Sequence, residues 1–413
     1  METIVILGAG HAGCQAAFAL RENGFRGRVT LVNGEEAAPY QRPPLSKGYM
    51  KSGRRDEILL RAETAFADHD IHLVSGVAEE IDRDRQQVRL GTGDALPYDH
   101  LILAMGTVNR RVSAPAGDTG VHYLKSLRDA DILRVRLPQT RRVAVIGAGF
   151  IGLEFAALAA AQGKTVEVVD IGMRVMARAT SEEVSDFFRH RHQDAGVRFH
   201  LGQGLAEIFR HLGNRATLLT TAGGEIEADL VVAGIGVMPN TELAARAGLA
   251  VDNGIVVDTY LSTTDPAISA IGDCAQFPSP HAAAPIRLES VQNANDHARC
   301  VARRLTGDRR PYAAVPWFWS DQGSDKLQIA GLPGEADRQV LRGDPERNRF
   351  SVFRFRNGQL ASVESVNQPA EHMVARRLIG SRSETLADHA SDAAVAAKEL
   401  LLHLQPGNAH ASV

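Results

Sequence analysis

Two glycine motifs in this chain have the spacing that binds the phosphates of a dinucleotide. Each has the form Gly-x-Gly-x-x-Gly after a short apolar run, with Gly8, Gly10 and Gly13 in the first and Gly147, Gly149 and Gly152 in the second. The first glycine permits a tight turn, the second lets the phosphates approach the backbone, and the third lets the following helix pack close to the strand. That helix presents free N–H groups and its positive dipole end to the phosphates. Two motifs predict two dinucleotides held at once, which indicates electron transfer between them.

An acidic residue at the end of the second strand of each motif would bind the adenosine ribose. Asp170 has this position in the second motif. A carboxylate there accepts from the ribose 2′-hydroxyl and repels a 2′-phosphate, so it favours NADH over NADPH, although Arg174 is near enough in sequence to weaken the preference. In the first motif the equivalent place is Asn33, and Glu35 rather than Glu36 is the predicted ribose acid.

Alternating strands and helices must position these motifs. The first predicted unit is a strand over residues 2–7, a helix over 12–22 and a strand over 28–32, and the second is a strand over 142–146, a helix over 150–162 and a strand over 166–169. Both are βαβ units, so we predict an α/β fold with doubly wound sheets. Further predicted elements are strands over 101–104 and 229–233, helices over 181–195 and 290–305, a hairpin of 350–356 and 360–367 around Asn357-Gly358, and a closing helix over the alanine-rich run 384–404.

The cysteines lack the close spacing of a redox-active disulfide. There are three, Cys14, Cys274 and Cys300. Their odd number and scatter argue against a disulfide framework and fit a reducing compartment. Cys274, directly after Asp273, is predicted to be a small packed residue rather than a nucleophile. Because no His or Cys cluster has metal-ligand spacing, we predict no resident metal or iron–sulfur centre.

Length and charge restrict the function further. The 413 residues exceed what one core usually organises, so two or three domains are expected. A net charge of −3 gives no support to nucleic acid or an anionic membrane as the main partner. No apolar stretch approaches the ~20 residues that span a bilayer. Met1 and Glu2 lead directly into the first strand without a targeting peptide, so we expect a soluble cytoplasmic protein.

Six motifs together resemble those of the FAD-dependent ferredoxin reductases of the glutathione reductase superfamily. They are the first glycine motif, Pro43-Pro44-Leu45-Ser46-Lys47, Ala104-Met105-Gly106, Gly147 to Glu154, Ile271-Gly272-Asp273 and Pro316-Trp317-Phe318-Trp319-Ser320-Asp321-Gln322. The resemblance extends over nearly the whole chain. It implies a glutathione-reductase-like fold of two Rossmann-type dinucleotide-binding domains plus an α+β carboxy-terminal domain. The implied domains are 1–108 and 236–315 for FAD, 109–235 for NADH, and 316–413 as an interface domain.

The resemblance also implies which residues act on the cofactors. Lys47 would lie near the flavin N5, paired with Glu154, and these two are the predicted catalytic residues. Asp273 would bind the ribityl chain of FAD, and Val291 would lie beside the isoalloxazine pyrimidine. Lys125 stands where a relative has an arginine that contacts FAD, and a lysine supplies the charge without the planar fork. The other predicted cofactor-binding residues are Gly8, Gly10, Ala12, Gly13, Glu35, Pro44, Ala78, Ala104, Gly106, Gly147, Gly149, Ile151, Gly152, Asp170, Gly236, Gly272 and Trp319.

Two further features suit a flavin. A helix that begins near Ser290 would present its positive end, which favours an anionic reduced flavin. Trp317 and Trp319 are separated by one residue, so on a strand they face the same way. They are either core anchors or flavin contacts, and the motif favours flavin contact for Trp319.

The combined features predict an NADH:ferredoxin oxidoreductase. By resemblance, NADH gives a hydride to FAD, which reduces a [2Fe-2S] ferredoxin in two single-electron steps, and the ferredoxin supplies a cytochrome P-450 type monooxygenase. Such redoxins are acidic, so their docking surface is expected to be basic. Five arginines are candidates for it, with a solvated helix face as the alternative: Arg299, Arg303, Arg304, Arg309 and Arg310.

Two other functions share these motifs. One is a reductase for rubredoxin or for the Rieske-type ferredoxin of an aromatic-ring dioxygenase. The other is an NADH-binding signalling flavoprotein resembling apoptosis-inducing factor, against which the absence of a targeting segment argues. Electron flux that depends on an added redoxin would separate the last function from the first two.

Overall fold

The computed structural model of the chain describes residues 2–112, 120–211, 213, 215–382 and 385–403. They divide into two units. The first is drawn from Met1–Gln41, Arg55–Val108 and Val237–Pro316, and the second from Arg42–Arg54, Asn109–Gly236 and Trp317–Val413. The segment Arg42–Arg54 groups with the second unit although it lies inside the predicted first domain. The functional domain boundaries remain predictions.

The strands are numbered in chain order across both units. They are β1 Thr3–Leu7, β2 Arg28–Asn33, β3 Ile71–Ser75, β4 Ala78–Asp82, β5 Gln87–Leu90, β6 Ala95–Pro97, β7 His100–Leu103, β8 Thr107–Asn109, β9 Val121–Tyr123, β10 Arg142–Ile146, β11 Thr165–Asp170, β12 Val197–Leu201, β13 Leu205–Arg210, β14 Ala216–Thr220, β15 Glu225–Ala228, β16 Leu230–Ala233, β17 Val237–Pro239, β18 Ile255–Val256, β19 Ile268–Ala270, β20 Ala275–Gln276, β21 Trp317–Gln322, β22 Asp325–Gly331, β23 Arg338–Asp344, β24 Arg349–Arg356 and β25 Gln359–Val366.

The helices are numbered in the same way. The α-helices are α1 His11–Glu22, α2 Gly48–Ser52, α3 Glu63–Asp68, α4 Leu127–Arg136, α5 Phe150–Ala161, α6 Glu182–Asp194, α7 Glu242–Arg246, α8 Val291–Leu305, α9 Pro369–Leu378 and α10 Leu386–Ser391. Short 3₁₀ helices cover Pro43–Ser46, Asp56–Ile58, Leu137–Gln139, Gly272–Cys274 and Ala397–His403.

A five-stranded parallel sheet in the order β3-β2-β1-β7-β19 forms the centre of the first unit. The inner strands β1 and β7 are mostly apolar and buried because both faces of the sheet are covered there, whereas the edge strand β3 is largely exposed. Leu7, the last residue of β1, pairs with Val32 on one side and with Leu103 on the other. The first glycine motif therefore follows β1 at the switch point of the sheet, where doubly wound folds bind ligands. Helices α1 and α8 pack against each other, and each contains small buried residues such as Ala16 and Ala298.

The second unit contains an equivalent parallel sheet, in the order β12-β11-β10-β16-β9. Ile146 at the end of β10 pairs with Val169 and with Ala233, so the second glycine motif has the same place in its sheet as the first. An antiparallel sheet in the order β21-β22-β25-β24-β23, followed by α9 and α10, forms the carboxy-terminal part of the unit. The predicted fold class of two Rossmann-type sheets plus an α+β region is confirmed.

Most predicted elements are present within one or two residues of their expected ends. Strand β10 has the predicted bounds, and α8 begins at Val291 with Ser290 as its cap. The predicted hairpin is β24 and β25, which pair antiparallel. Its turn needs two left-handed residues, and Asn357 and Gly358 have φ angles of 51° and 73°.

The prediction of one closing helix over 384–404 is wrong; residues 384 and 404 lie outside the described part, and the rest forms α10 and a 3₁₀ helix with an irregular stretch between them. The side chain of Asp392 accepts from the Ala394 N–H at 2.8 Å, a local bond that competes with helix formation. The buried Arg342 guanidinium donates to the carbonyl oxygens of Ala390, Asp392 and Val395. Carbonyls held in this way favour the observed break over the helix that the alanines prefer.

The Arg342 contacts predict a large loss of stability when this side chain is removed. Arg342 also donates to Glu371 Oε1 at 2.8 Å, and the two side chains are only 4% and 9% exposed. Arg342→Met would leave that carboxylate buried without its cation, so we expect the free energy of unfolding to fall by about 3–5 kcal/mol. Urea unfolding followed by tryptophan fluorescence measures this, because both tryptophans lie in β21. The control Arg347→Met, whose side chain is 83% exposed, should change stability by less than about 0.5 kcal/mol, and equal effects would contradict the prediction.

Candidate dinucleotide sites and the Lys47–Glu154 ion pair

The three glycines of the first motif meet different surroundings. Gly8 has a φ of 105°, and a Cβ there would lie 2.4 Å from the Ala104 carbonyl oxygen. A Cβ on Gly13 would lie 1.8 Å from the Gly8 carbonyl oxygen, whereas a Cβ on Gly10 would meet nothing within 4 Å. The first and third glycines are therefore required by the packing of the chain itself. The space at Gly10, where α1 begins without a side-chain cap, fits the approach of a dinucleotide phosphate.

The second motif repeats this arrangement in the second unit. Gly147 has a φ of 104°, and its Cβ would lie 2.5 Å from the Gly234 carbonyl oxygen. A Cβ on Gly152 would lie 2.1 Å from the Gly147 carbonyl oxygen, whereas one on Gly149 would come no closer than 3.8 Å to any atom. Both turns thus fit a bound pyrophosphate, and each unit supplies its own turn.

The turn that carries Asp273 adjoins the first glycine motif. A Cβ on Gly272 would lie 3.0 Å from the Cβ of Ala12, so these two predicted site residues are neighbours. The Gly272 N–H donates to Nδ1 of His297 at 3.2 Å. Burial lowers the pKa of His297 to about 3, so its ring stays neutral and Nδ1 remains an acceptor. This histidine fixes the backbone next to Asp273.

The predicted ribose acid of the second motif also supports the glycine turn. Asp170 accepts from the Ala148 N–H and from the Gly172 N–H, both at 2.6 Å. Each carboxylate oxygen retains a further lone pair for a ribose hydroxyl. The role of Asp170 in nucleotide binding remains a prediction.

In the first unit Asn33 has the place that Asp170 has in the second. The two pair with the final residues of β3 and β12 in the same way. Asn33 Nδ2 donates to the Ala37 carbonyl at 2.8 Å, and the Glu35 side chain accepts from the Tyr40 hydroxyl at 2.6 Å. Glu35 is half-buried, and its assignment as the FAD ribose acid stays a prediction.

Arg174 turns away from the role that would accommodate a 2′-phosphate. Its guanidinium donates to the carbonyl oxygens of Ala177, Thr180 and Ser181 at 3.0, 2.8 and 3.2 Å. These bonds hold the loop between β11 and α6. In this conformation three of its N–H donors serve the backbone, and the expected effect of Arg174 on the preference for NADH stays a prediction.

The ion pair expected between Lys47 and Glu154 is present in the second unit. Lys47 Nζ lies 3.0 Å from Glu154 Oε1, and the two side chains are 23% and 3% exposed. Glu154 also accepts from the Ser46 hydroxyl at 2.5 Å and from the Ser320 hydroxyl at 2.7 Å. Asp321 Oδ2 lies 4.0 Å from the same ammonium group. The arrangement presents a partly exposed cation whose counter-ion is held rigidly.

The segment before and after Lys47 is fixed by its own contacts. Two prolines begin the 3₁₀ helix Pro43–Ser46, which restricts the backbone directly before Lys47. After it, the Tyr49 hydroxyl donates to Asp131 at 2.5 Å. Arg42 donates to the backbone carbonyl oxygen of Lys125 at 2.8 Å, and the contact of Lys125 with FAD stays a prediction.

The tryptophans face one side of β21, as their spacing predicts. Their ring centroids are 5.9 Å apart, and Arg376 lies over the Trp317 ring at 4.5 Å. Both rings are partly exposed. Flavin contact by Trp319 remains a prediction.

The remaining predicted cofactor residues lie at element ends or in turns. Ala78 begins β4 and Gly106 lies between β7 and β8 in the first unit, whereas Pro44 in the first 3₁₀ helix, the exposed Ile151 in the first turn of α5, and Gly236 after β16 lie in the second. Gly106 and Gly236 have positive φ angles of 63° and 96°. Their roles, too, stay predictions.

The cysteines are unsuited to thiolate chemistry. All three are buried and unpaired. Burial raises the pKa of Cys14 to about 12 and that of Cys274 to about 11. A thiol held protonated is a poor nucleophile, so the expectation that Cys274 is a packed residue agrees with its environment.

The five arginines of the predicted docking surface do not form one exposed patch. Arg304 is half-buried and donates to the hydroxyls of Ser262 and Ser269, so we remove it from the proposed surface. Arg299 pairs with Asp296 at 3.0 Å and Arg310 with Asp308 at 2.5 Å, which reduces the local positive charge. Among the described residues, Arg303 and Arg309 have no carboxylate within 4 Å.

Sequence reasoning missed several side chains that complete the Lys47–Glu154 site. Ser46 and Ser320 belong to two of the six motifs, but the motifs predict no role for either side chain. Gln322 donates to Ser320, and His192 is hydrogen-bonded to Gln322, so both belong to the same network. The alternation of Ser320 and Gln322 on one strand face was the available signal, and their distance in sequence from Glu154 concealed it.

Two further predictions concern membranes and metals. Within the described ranges, no helix is long and apolar enough to cross a bilayer. In the same residues no group of three or more His, Cys, Asp or Glu side chains could hold a metal ion.

Known proteins resemble this chain over almost its whole length. Residues 2–298 match the family described as pyridine nucleotide-disulphide oxidoreductase, and residues 317–401 match the reductase C-terminal family. Rhodocoxin reductase of Rhodococcus erythropolis is 49% identical over 393 residues, which cover 94% of this chain and 92% of that relative.

Two solved structures share the fold. The ferredoxin reductase for the CYP199A2 system from Rhodopseudomonas palustris is 46% identical with a TM-score of 0.93, over 97% of this chain and 99% of the other. The covalent putidaredoxin reductase–putidaredoxin complex gives 37% identity and a TM-score of 0.92, over 97% and 98% of the two chains. The resemblance inferred from the six motifs is confirmed.

The open space at Gly10 predicts that a methyl group there acts on the cofactor rather than on the fold. Gly10 has a φ of −75°, which alanine adopts without strain. Gly10→Ala should leave the stability of the cofactor-free protein within about 0.5 kcal/mol of wild type. It should raise the dissociation constant for FAD about tenfold or more, measured by fluorescence titration. The matched variant Gly149→Ala should weaken NADH binding and leave FAD binding unchanged; loss of FAD in both variants would contradict the assignment.

The carboxylate of Asp170 predicts the nucleotide preference. Asp170→Ala removes the repulsion of a 2′-phosphate, so the ratio of kcat/KM for NADH to that for NADPH should fall by roughly tenfold. The ratio is the measurement because the loss of two backbone contacts weakens both nucleotides. Asp170→Asn, which keeps an acceptor, should act in the same direction. Glu167→Ala on the same strand is the control, and an unchanged ratio in Asp170→Ala would discredit the ribose assignment.

Proposed function

Because the chain belongs to the pyridine nucleotide-disulphide oxidoreductase family, we propose that it is an NADH-dependent FAD flavoprotein that reduces a [2Fe-2S] ferredoxin. Both predicted cofactors are those that this family uses. The observation that carries the proposal is the pair of equivalent glycine turns, each open at its second glycine. The buried, unpaired cysteines favour transfer of the electrons to a separate protein over disulfide chemistry.

The chain's own residues bind and orient the two cofactors and balance the charge between them. When bound, FAD supplies the ability to accept a hydride and to release electrons singly. The two glycine turns hold the pyrophosphates through N–H groups at the starts of α1 and α5. Asp170 selects a 2′-hydroxyl, and Lys47 places a cation that stabilises negative charge during transfer. Glu154 keeps that cation in one position.

The ferredoxin partner and its terminal enzyme follow from the relatives. One solved relative serves a CYP199A2 system and another is bound to putidaredoxin, so we propose a ferredoxin that feeds a cytochrome P-450 type monooxygenase. For docking we retain a smaller basic surface, Arg303 and Arg309 with Arg299 and Arg310 at its edge. A ferredoxin with acidic side chains would complement it.

We place the reaction in the cytoplasm. All three cysteines are buried and unpaired, as is usual in a reducing compartment. NADH, the proposed donor, acts in the same compartment.

A panel of electron acceptors tests the function. With NADH, reduction of cytochrome c should be fast only when a [2Fe-2S] ferredoxin is added, because the flavin passes electrons to that carrier. Rubredoxin and a Rieske-type ferredoxin, assayed in parallel, distinguish the alternative reductases. Slow flavin reduction that leaves a persistent charge-transfer complex, with no flux through any redoxin, would instead identify a signalling flavoprotein and refute the proposal.

A further inference from the structure

We propose that Ser320 is a positioning residue for the Lys47–Glu154 pair, at the end of a hydrogen-bond chain that begins at His192. The proposal rests on the proposed function, since it concerns how that function's cation is held. Ser320 belongs to the tryptophan-containing motif, in which the sequence predicts a role only for the tryptophans. All residues of this hydrogen-bond chain lie in the second unit.

The carboxylate of Glu154 is held at both oxygens. Ser46 donates to Oε2 at 2.5 Å, and Ser320 donates to Oε1 at 2.7 Å. Lys47 binds Oε1 as well, at 3.0 Å. A carboxylate held at one oxygen can rotate, whereas donors on both oxygens fix its plane. Ser320 is the buried donor on Oε1, beside the partly exposed ammonium group, and so helps to fix the position of the oxygen that pairs with Lys47.

Along the hydrogen-bond chain every residue donates toward Glu154. The Gln322 carbonyl oxygen can only accept, so the His192 ring donates to it from Nε2, at 2.9 Å. Burial lowers the pKa of His192, which keeps the ring neutral. The Gln322 amide then donates to the Ser320 oxygen at 3.4 Å, and the Ser320 hydrogen is directed to Glu154.

The residues of the hydrogen-bond chain are shielded from water. The geometry of β21 fixes two of them. Ser320 is 0% exposed, and Gln322 and His192 are each 4% exposed. Phe318, Ser320 and Gln322 alternate along β21 and so share one face. On that face Phe318 packs against Phe150 of α5, with ring centroids 4.8 Å apart. Because bulk water cannot replace a lost donor there, removing the hydroxyl leaves Oε1 with the partly exposed ammonium group of Lys47, and the carboxylate is held less firmly.

The first test measures the ion pair without turnover. The FAD-loaded protein is treated with acetic anhydride, and the rate of acetylation at each of its six lysines is followed by mass spectrometry. In Ser320→Ala the rate at Lys47 should rise roughly threefold or more, since its counter-ion has lost one of its two hydroxyl donors and is held less firmly. Glu154→Gln sets the rate expected when the pair is lost. The other five lysines are internal references, because general loosening would accelerate several of them.

The second test separates positioning from binding. With Ser320→Ala, the limiting rate of flavin reduction should fall about tenfold or more while the dissociation constant for NADH stays within about twofold. Ser320→Thr, which retains the hydroxyl, should restore both the rate and the protection of Lys47. The matched control is Ser351→Ala, which removes an equally buried hydroxyl of the same sheet that donates to Ser365 at 3.0 Å. It should leave both measurements at the wild-type value.

The outcomes distinguish this proposal from the proposed function. Unchanged Lys47 acetylation in Ser320→Ala, or equal effects of Ser320→Ala and Ser351→Ala, would overturn the positioning role. In that case a wild-type protein that still reduces ferredoxin keeps its function. If the wild type passes no electrons to any redoxin, the acetylation result still decides whether Ser320 holds the pair.

Discussion

Burying a carboxylate is costly unless hydrogen bonds and a counter-ion compensate for the lost water. Glu154, on helix α5, is compensated by donors from two distant parts of the sequence, the segment that contains Ser46 and Lys47 and strand β21 with Ser320. The proline-containing segment, the nucleotide-binding sheet and the carboxy-terminal sheet are joined at this one anion. The same contacts therefore stabilise the fold of the second unit and set the geometry of its candidate site.

The two glycine turns show how much of a binding motif belongs to the fold. In each turn the first and third glycines are required by the approach of a carbonyl oxygen from the chain itself. Only the second faces space that the chain leaves open. The same division in both turns separates what the backbone needs from what a ligand needs, and a sequence pattern alone does not distinguish the two.

Elements with local determinants could be predicted from the sequence. Apolar runs identified β1 and β10, and Asn357-Gly358 identified the turn between β24 and β25. The prediction of one closing helix was wrong because Arg342, on the distant strand β23, binds carbonyl oxygens of the alanine-rich run. Likewise, Ser320 lies far along the chain from Glu154, and no local pattern brings a strand serine to a helix carboxylate.

The loop after β11 has a consequence for coenzyme engineering. Arg174 is the nearest cation in sequence to Asp170, the predicted ribose acid, but it closes the loop through three backbone carbonyls. Recruiting it to a 2′-phosphate would open the connection between β11 and α6. A change of cofactor toward NADPH therefore needs a newly introduced arginine or lysine on this loop, in addition to the replacement of Asp170. The Arg174 side chain that is already present stabilises the loop instead.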